Sequence, residues 1–445
     1  MFIIEILLLV VTIYLALRFI TILGEKSILL LYMIIHFAQM IISQFYLNAG
    51  NYAYELGKTT YYVLESTVLF LFYIDVFLCF LIFFARRVSY KSIAKIEPVK
   101  RDDIDSVICR WTIWLVLVLM LYVSLDIVVS GIPLFVSSIT RYNYWSSYST
   151  LPFASTVNNW ISVGMFLLGY AYVHINKKSF RVICILEVVF VVALRMLMDQ
   201  KMSGVVDTVL NFIAIGVLSS DNRLSKIRNL INLKYIIIAL CIAATAIGIY
   251  VFNVTYNGKA DSLVMAIELL QERAFGLGNH LWWAAEADNR TGNSLFGRNT
   301  LQEVLSVLEL RDINDLKAGL YYLMLQYGVG YIVQADINGG VRFGATFLNT
   351  SIYYFGYIFA ILIIAFVALL VVKFVYMLNY CVKTNRVFPF ILLCKIWGTF
   401  ATYVYASGAL TEWINVENFI YFLLFYYLLT RRKRYIIKLK SCRKG

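Results

Sequence analysis

The sequence predicts an all-α, polytopic integral membrane protein with about 11 transmembrane helices and a helical external cap. Three observations predict this class. The 445-residue chain is 61% hydrophobic and 15% charged, against about 45–50% and about 25% in soluble domains. Apolar runs near 20 residues recur along its whole length, each long enough to cross a bilayer as a helix. The basic residues between those runs fall mainly in alternate gaps, as they do when one side of the bundle faces the cytoplasm.

The spans are expected at 2–23, 28–47, 60–85, 111–131, 156–174, 182–198, 204–219, 235–254, 346–372, 387–407 and 417–430. Of the 39 Lys and Arg, 26 lie in the gaps on one side and 10 on the other, while Arg18, Arg195 and Lys395 fall within spans. The positive-inside rule then puts the C-terminal tail in the cytoplasm, and an odd number of spans puts the N-terminus outside. No cleavable signal peptide is expected, because the apolar run starts at Phe2 with no basic segment before it. Four regions follow: spans one to eight (1–254), a large external segment (255–345), spans nine to eleven (346–430) and a basic cytoplasmic tail (431–445).

The net charge of +13 is accounted for by these cytoplasmic gaps facing anionic lipid, and calls for no nucleic acid partner. The seven cysteines are scattered without CxxC spacing and read as small buried hydrophobes. None falls in an external segment, which excludes a disulfide or a cysteine nucleophile there.

The external segment carries its own helical signals. Residues 260–276 read as an amphipathic helix with Asp261 as N-cap and a glycine stop. Thr300 and Glu303 have capping-box spacing, and 316–328 reads as a third helix at the membrane surface. This cap is expected to be re-entrant or interfacial. A second external stretch, 132–155, surrounds Arg141 with Phe135, Tyr142, Tyr144, Trp145 and Tyr148.

Candidate chemistry centres on the outer side. There is no nucleotide-binding loop and no serine elbow. His280 is the only histidine of three placed externally, so a His-based metal site is not expected. Asp103 and Asp105 form a DxD in a short basic loop, and read as solvated charge. Arg141, Lys201, Arg273, Arg290, Arg298, Arg311 and Arg342 run against the charge bias of a translocated side. Arginine donates to phosphate in bidentate fashion, so these residues either bind a lipid-linked phosphate or pair with Glu272, Glu286 and Asp288. Tyr142, Tyr144, Trp145, Trp282 and Trp283 are either sugar-stacking faces or an interfacial belt. Within the spans, Glu65, Asp75, Asp126, Glu187, Arg195 and Lys395 should face the bundle interior or a wet cavity. Arg195 and Asp199 are expected to form an i,i+4 pair.

Three stretches resemble bacterial Wzy-type polymerases of O-antigen and other oligosaccharide repeat units. "SGIPLFVSSITRYNYW" (130–145) is similar to their segment after a middle span, where a Gly and an apolar turn precede a basic residue. "MDQKMSGVVDTVL" (198–210) is similar to their short basic external turn, with Lys201 where Arg is expected. "FGATFLNTSIYYFGYIFAIL" (343–362) is similar to the re-entry from their large external loop. The last external turn, 406–418, lacks the Arg expected there and carries only Glu412 and Glu417 as charges.

The resemblance implies a GT-C-like, metal-independent glycosyltransferase without cofactor, in the bacterial cytoplasmic membrane. Donor and acceptor are both glycans on undecaprenyl pyrophosphate, and a chain-length regulator protein is a further partner. Arg273, Lys201 and Arg141, with Arg290, would offset the leaving pyrophosphate. His280, Glu272 or Glu412 would take the acceptor proton. Tyr144, Trp145 and Trp282 would stack on sugars. Two rival readings are a ligase that moves finished glycan to another acceptor and a flippase for the lipid-linked unit. A flippase predicts two pseudo-symmetric halves, and no internal repeat is visible.

Overall fold

The computed structural model describes residues 2–51, 56, 64–88, 104–136, 143–175, 177–198, 202–219, 247–248, 251, 255, 261–276, 278–291, 295, 319–338 and 344–442. Among them the chain is all-helical, and the only β pairing is an isolated bridge between Leu56 and Gly328. Among the described residues five stretches are long and apolar enough to cross a membrane: Phe2–Asn48, Glu65–Val88, Val107–Ser130, Phe347–Lys383 and Val387–Ser407. Two shorter apolar helices cover Gly204–Leu218 and Val416–Leu429.

The first stretch is two helices, α1 (Phe2–Leu23) and α2 (Leu31–Asn48), joined by a 3-10 turn at Gly24–Leu30. Gly24 opens that turn at φ +58, where a glycine has no Cβ penalty. The helices are antiparallel, since Asn48 Nδ2 donates to Glu5 Oε1 at 3.0 Å. Next come α3 (Leu64–Val88) and α4 (Ile104–Ser130). α3 runs parallel to α1, with Thr12 Oγ1 donating to Asp75 Oδ1 at 2.6 Å. Exposed Leu7, Val10, Tyr14 and Leu17 of α1, and Trp111, Leu115 and Val118 of α4, form apolar faces suited to lipid.

α5 (Ala154–His174), α6 (Lys178–Leu197) and α7 (Met202–Leu218) follow. α5 and α7 touch at small residues: a Cβ on Gly169 would lie 2.4 Å from the Phe212 carbonyl oxygen. Without solvent to drive association, such backbone proximity supplies the packing energy between membrane helices. The span expected at 235–254 lies mostly outside the described residues.

The cap contains α8 (Leu263–Gln271), α9 (His280–Thr291), α10 (Gly319–Tyr327) and α11 (Gly330–Asn338). Asp261 is not the N-cap of α8. That role belongs to Ser262, whose hydroxyl accepts from Met265 N at 3.2 Å. The helix gives way at Glu272 to a π-turn that runs to Gly276. Thr300 and Glu303 lie outside the described residues.

α12 (Phe347–Lys383) outlasts its expected end at 372. No helix breaker interrupts the basic run that follows, and the chain turns only at Thr384 and Asn385, the latter at φ +51. α12 is broken instead at Gly356, whose φ of 70° and ψ of −178° suit glycine alone. Phe347 packs on Phe77, Tyr73 donates to the Tyr357 carbonyl and Tyr376 to the Ala85 carbonyl. The limb before Gly356 therefore heads toward the start of α3, and the limb after it runs the other way. α13 (Val387–Thr402), a π-turn at Tyr403–Ser407 and α14 (Val416–Cys442) complete the chain.

The intramembrane charges largely take the inward positions expected. Asp75, Asp126, Glu187, Arg195 and Lys395 are all buried, whereas the Glu65 side chain at the mouth of α3 is 57% exposed. Of the described cysteines, Cys109, Cys184, Cys381 and Cys394 are buried and Cys79 is exposed.

A buried polar helix as the candidate functional site

α9, "HLWWAAEADNRT", is polar for a membrane protein, yet every residue from His280 to Asn289 is buried. It is enclosed by α2, α3, α10 and α12. Buried polar groups cost free energy unless bonded, and α9 is tied in at several points. Trp282 Nε1 donates to the Ser66 carbonyl at 3.0 Å, and Asn289 Nδ2 to the Ile352 carbonyl at 2.6 Å. The approach to α9 is held on α2. Ser43 Oγ donates to the Gly276 carbonyl and accepts from Asn279 N, and Gln44 Nε2 donates to the Asn279 carbonyl. A Cβ on Gly278 would sit 3.0 Å from that of Ser43, so the residue must be small.

At its far end α9 meets the mouth of α3. Arg290 Nε donates to the buried carboxylate of Glu286, and its Nη1 donates to Glu65 Oε2 at 2.9 Å. The Arg290 side chain is 38% exposed. Burial pushes the Glu286 carboxyl above the ordinary carboxylate range, against the opposing pull of Arg290. Burial alone would lower the Arg290 pKa, but its bonds to Glu286 and Glu65 hold the guanidinium above its usual value. A cation with one buried and one exposed carboxylate partner can exchange the exposed one for another anion.

Trp282 requires a correction. It is fully buried, with Phe70 edge-on at 5.1 Å and Tyr73 at 6.0 Å, so it packs the core and offers no open face to a sugar. Trp283 is fully buried too and belongs to no interfacial belt. His280 is 2% exposed, whereas Glu272 is half-buried in the π-turn before α9. Arg273 lies on the backbone of that same turn.

Tyr144 is likewise closed rather than sugar-facing. Its hydroxyl donates to Asp126 Oδ2 at 2.7 Å, and burial followed by that bond pushes its phenol well above the ordinary value. Asp126 also accepts from Ser149 Oγ at 2.9 Å, Thr150 N at 3.0 Å and Leu151 N at 2.9 Å, latching the segment to the end of α4. Trp145 stands edge-on to Tyr144 at 4.9 Å and is half-buried. Arg141, Tyr142, Lys201, Arg298, Arg311 and Arg342 lie outside the described residues, as does Asp199.

Sequence reasoning missed a second polar cluster. Asp207 of α7 accepts from Asn211 Nδ2 at 3.1 Å and Tyr405 Oη at 3.4 Å, and supplies the opposite charge to Arg195. Arg195 Nη2 also donates to Ser162 Oγ at 2.7 Å. Tyr405 reaches Tyr32 at 4.6 Å and His36 at 5.8 Å. The available signal was Asp207 itself, an acid five residues into a short apolar helix.

With this geometry in view, the comparisons add one match. Residues 314–422 match a family model described as a family of unknown function (DUF6418). The matched segment holds α10 to α13 and the start of α14, including Gly356 and Tyr405. Searches among curated proteins and among solved structures found no match.

Proposed function

We propose that this chain polymerises lipid-linked oligosaccharide repeat units into a surface polysaccharide, as a GT-C-like protein of about 11 spans. It would work on the outer face of the bacterial cytoplasmic membrane, with its tail in the cytoplasm. One observation supports this reading above the others. A charged, enclosed helix carries Arg290 to the mouth of α3, held there by an exposed carboxylate that a phosphate can replace.

The acceptor's terminal hydroxyl attacks the anomeric carbon of the donor's first sugar. The new C–O bond forms as the bond to pyrophosphate breaks, and the pyrophosphate departs on its lipid. Arg290, with Arg273, Arg141 and Lys201, offsets the charge that develops there. The hydroxyl proton passes to a base. Glu272 is the better placed of the α9-side candidates, being half-buried where His280 is enclosed.

The test is turnover of a purified lipid-linked repeat unit, alongside chain lengths in cells carrying Arg273→Ala. The purified protein should give a ladder of lengths, and the variant should insert normally yet leave glycans one unit long. A normal ladder from the variant, or no polymer from the pure protein, would overturn the reading.

A further inference from the structure

α1 and α3 descend side by side and end together on the basic side of the bundle. Between their C-terminal ends lies a cavity of about 320 Å³ lined by Arg18, Arg86, Arg87, Leu15, Ile82 and Phe83. Three arginines from two helices thus line one cavity together with apolar side chains. Among the described residues no carboxylate forms an ion pair with any of them. Arg87 lies 4.1 Å over the Phe83 ring and Arg18 5.9 Å from that of Tyr14. Stacking occupies the face of a guanidinium and leaves its in-plane N–H groups to donate. Helix dipoles favour a cation at a C-terminus, and long side chains snorkel. Neither effect draws three arginines around one cavity.

We propose that this cavity binds the head group of an anionic phospholipid. Its phosphate would accept from Arg18, Arg86 and Arg87, and its acyl chains would lie along the exposed Leu17 and Tyr14 of α1 and Phe83 of α3. Phosphate chemistry requires the arginines, and the apolar side chains and lipid-facing flanks select a lipid over a free anion. The site lies at the opposite end of α3 from Glu65 and Arg290 and does not depend on the polymerase reading.

The test is native mass spectrometry of the full-length protein in detergent, titrated with phosphatidylglycerol, phosphatidylcholine or inorganic phosphate. The wild type should retain phosphatidylglycerol in preference to phosphatidylcholine. R18Q/R86Q/R87Q should weaken that retention ten- to about a hundredfold, given roughly a fivefold contribution per basic residue. Leu15→Trp, which fills the cavity and keeps the charges, should also weaken it. Arg110→Gln, whose arginine stacks on Phe180 away from the cavity, should not. Undiminished retention by both the triple and the Trp variants would overturn the site. An equal loss in Arg110→Gln would mark diffuse attraction and overturn it as well. Displacement of phosphatidylglycerol by inorganic phosphate alone would overturn the lipid assignment.

Discussion

Arg290 donates to Glu65 at 2.9 Å across 225 positions of sequence, closing the buried helix α9 against the mouth of α3. Its second partner, Glu286, is almost fully buried, and the two bonds differ in worth. The exposed Glu65 pair is screened by solvent, so Glu65→Gln should cost no more than about 1 kcal/mol. Arg290→Ala strands a buried carboxylate and should cost about 3–5 kcal/mol, read as a lower Tm in detergent. The Glu286→Gln/Arg290→Ala pair should recover part of it. The Glu286 pKa is raised in the folded state, so its contribution is fully present below its unfolded pKa and is lost as pH rises through the folded one. Removing Arg290 should raise that pKa further. Stability of Arg290→Ala should therefore fall more steeply than wild type from the ordinary carboxylate range upward, and Glu286→Gln should abolish the difference.

Asp126 gathers three side-chain hydroxyls and two backbone N–H groups from residues 144–151. Asp126→Ala would leave several donors unsatisfied and should cost about 2–4 kcal/mol, with earlier proteolysis of that segment. Tyr144→Phe removes one donor from a carboxylate that keeps four others from the same segment, and should cost only about 1 kcal/mol. Equal effects from the two variants would contradict the latch.

The Arg195–Asp207 cluster tests how the intramembrane charges are held. Asp207→Ala leaves Arg195 enclosed without its counter-charge and should lower stability by about 3–5 kcal/mol. Arg195→Met/Asp207→Leu should be more stable than Asp207→Ala, as measured by thermal unfolding, because neither charge is then stranded. Tyr405→Phe loses one long bond and should lie within about 1 kcal/mol of wild type.

Gly408 has φ +63, and a Cβ there would stand 2.7 Å from the Thr346 carbonyl oxygen. Gly408→Ala should cost about 2–4 kcal/mol, combining left-handed strain with overpacking. Gly398, inside α13, has open space at its Cβ. Gly398→Ala should leave stability unchanged or raise it by up to about 1 kcal/mol, read as an equal or higher Tm.

The all-α class and most helix positions were legible in the sequence, because apolar run length and basic flanks are local properties. α1 spans the residues expected, and α5, α6 and α7 fall within a few residues of their expected bounds. The inward placement of Asp126 and Arg195 was also legible, since a charge in lipid must find an interior. Tertiary structure alone decided the rest. The polar composition of α9 reads as external, and only its enclosure by α2, α3 and α12 turns Trp282 into a core residue. The break at Gly356 and the partnership of Asp207 with Tyr405 depend on contacts between distant segments. Hydropathy reports how far a residue avoids water, whereas the identity of its partner is set by which helices the chain brings together.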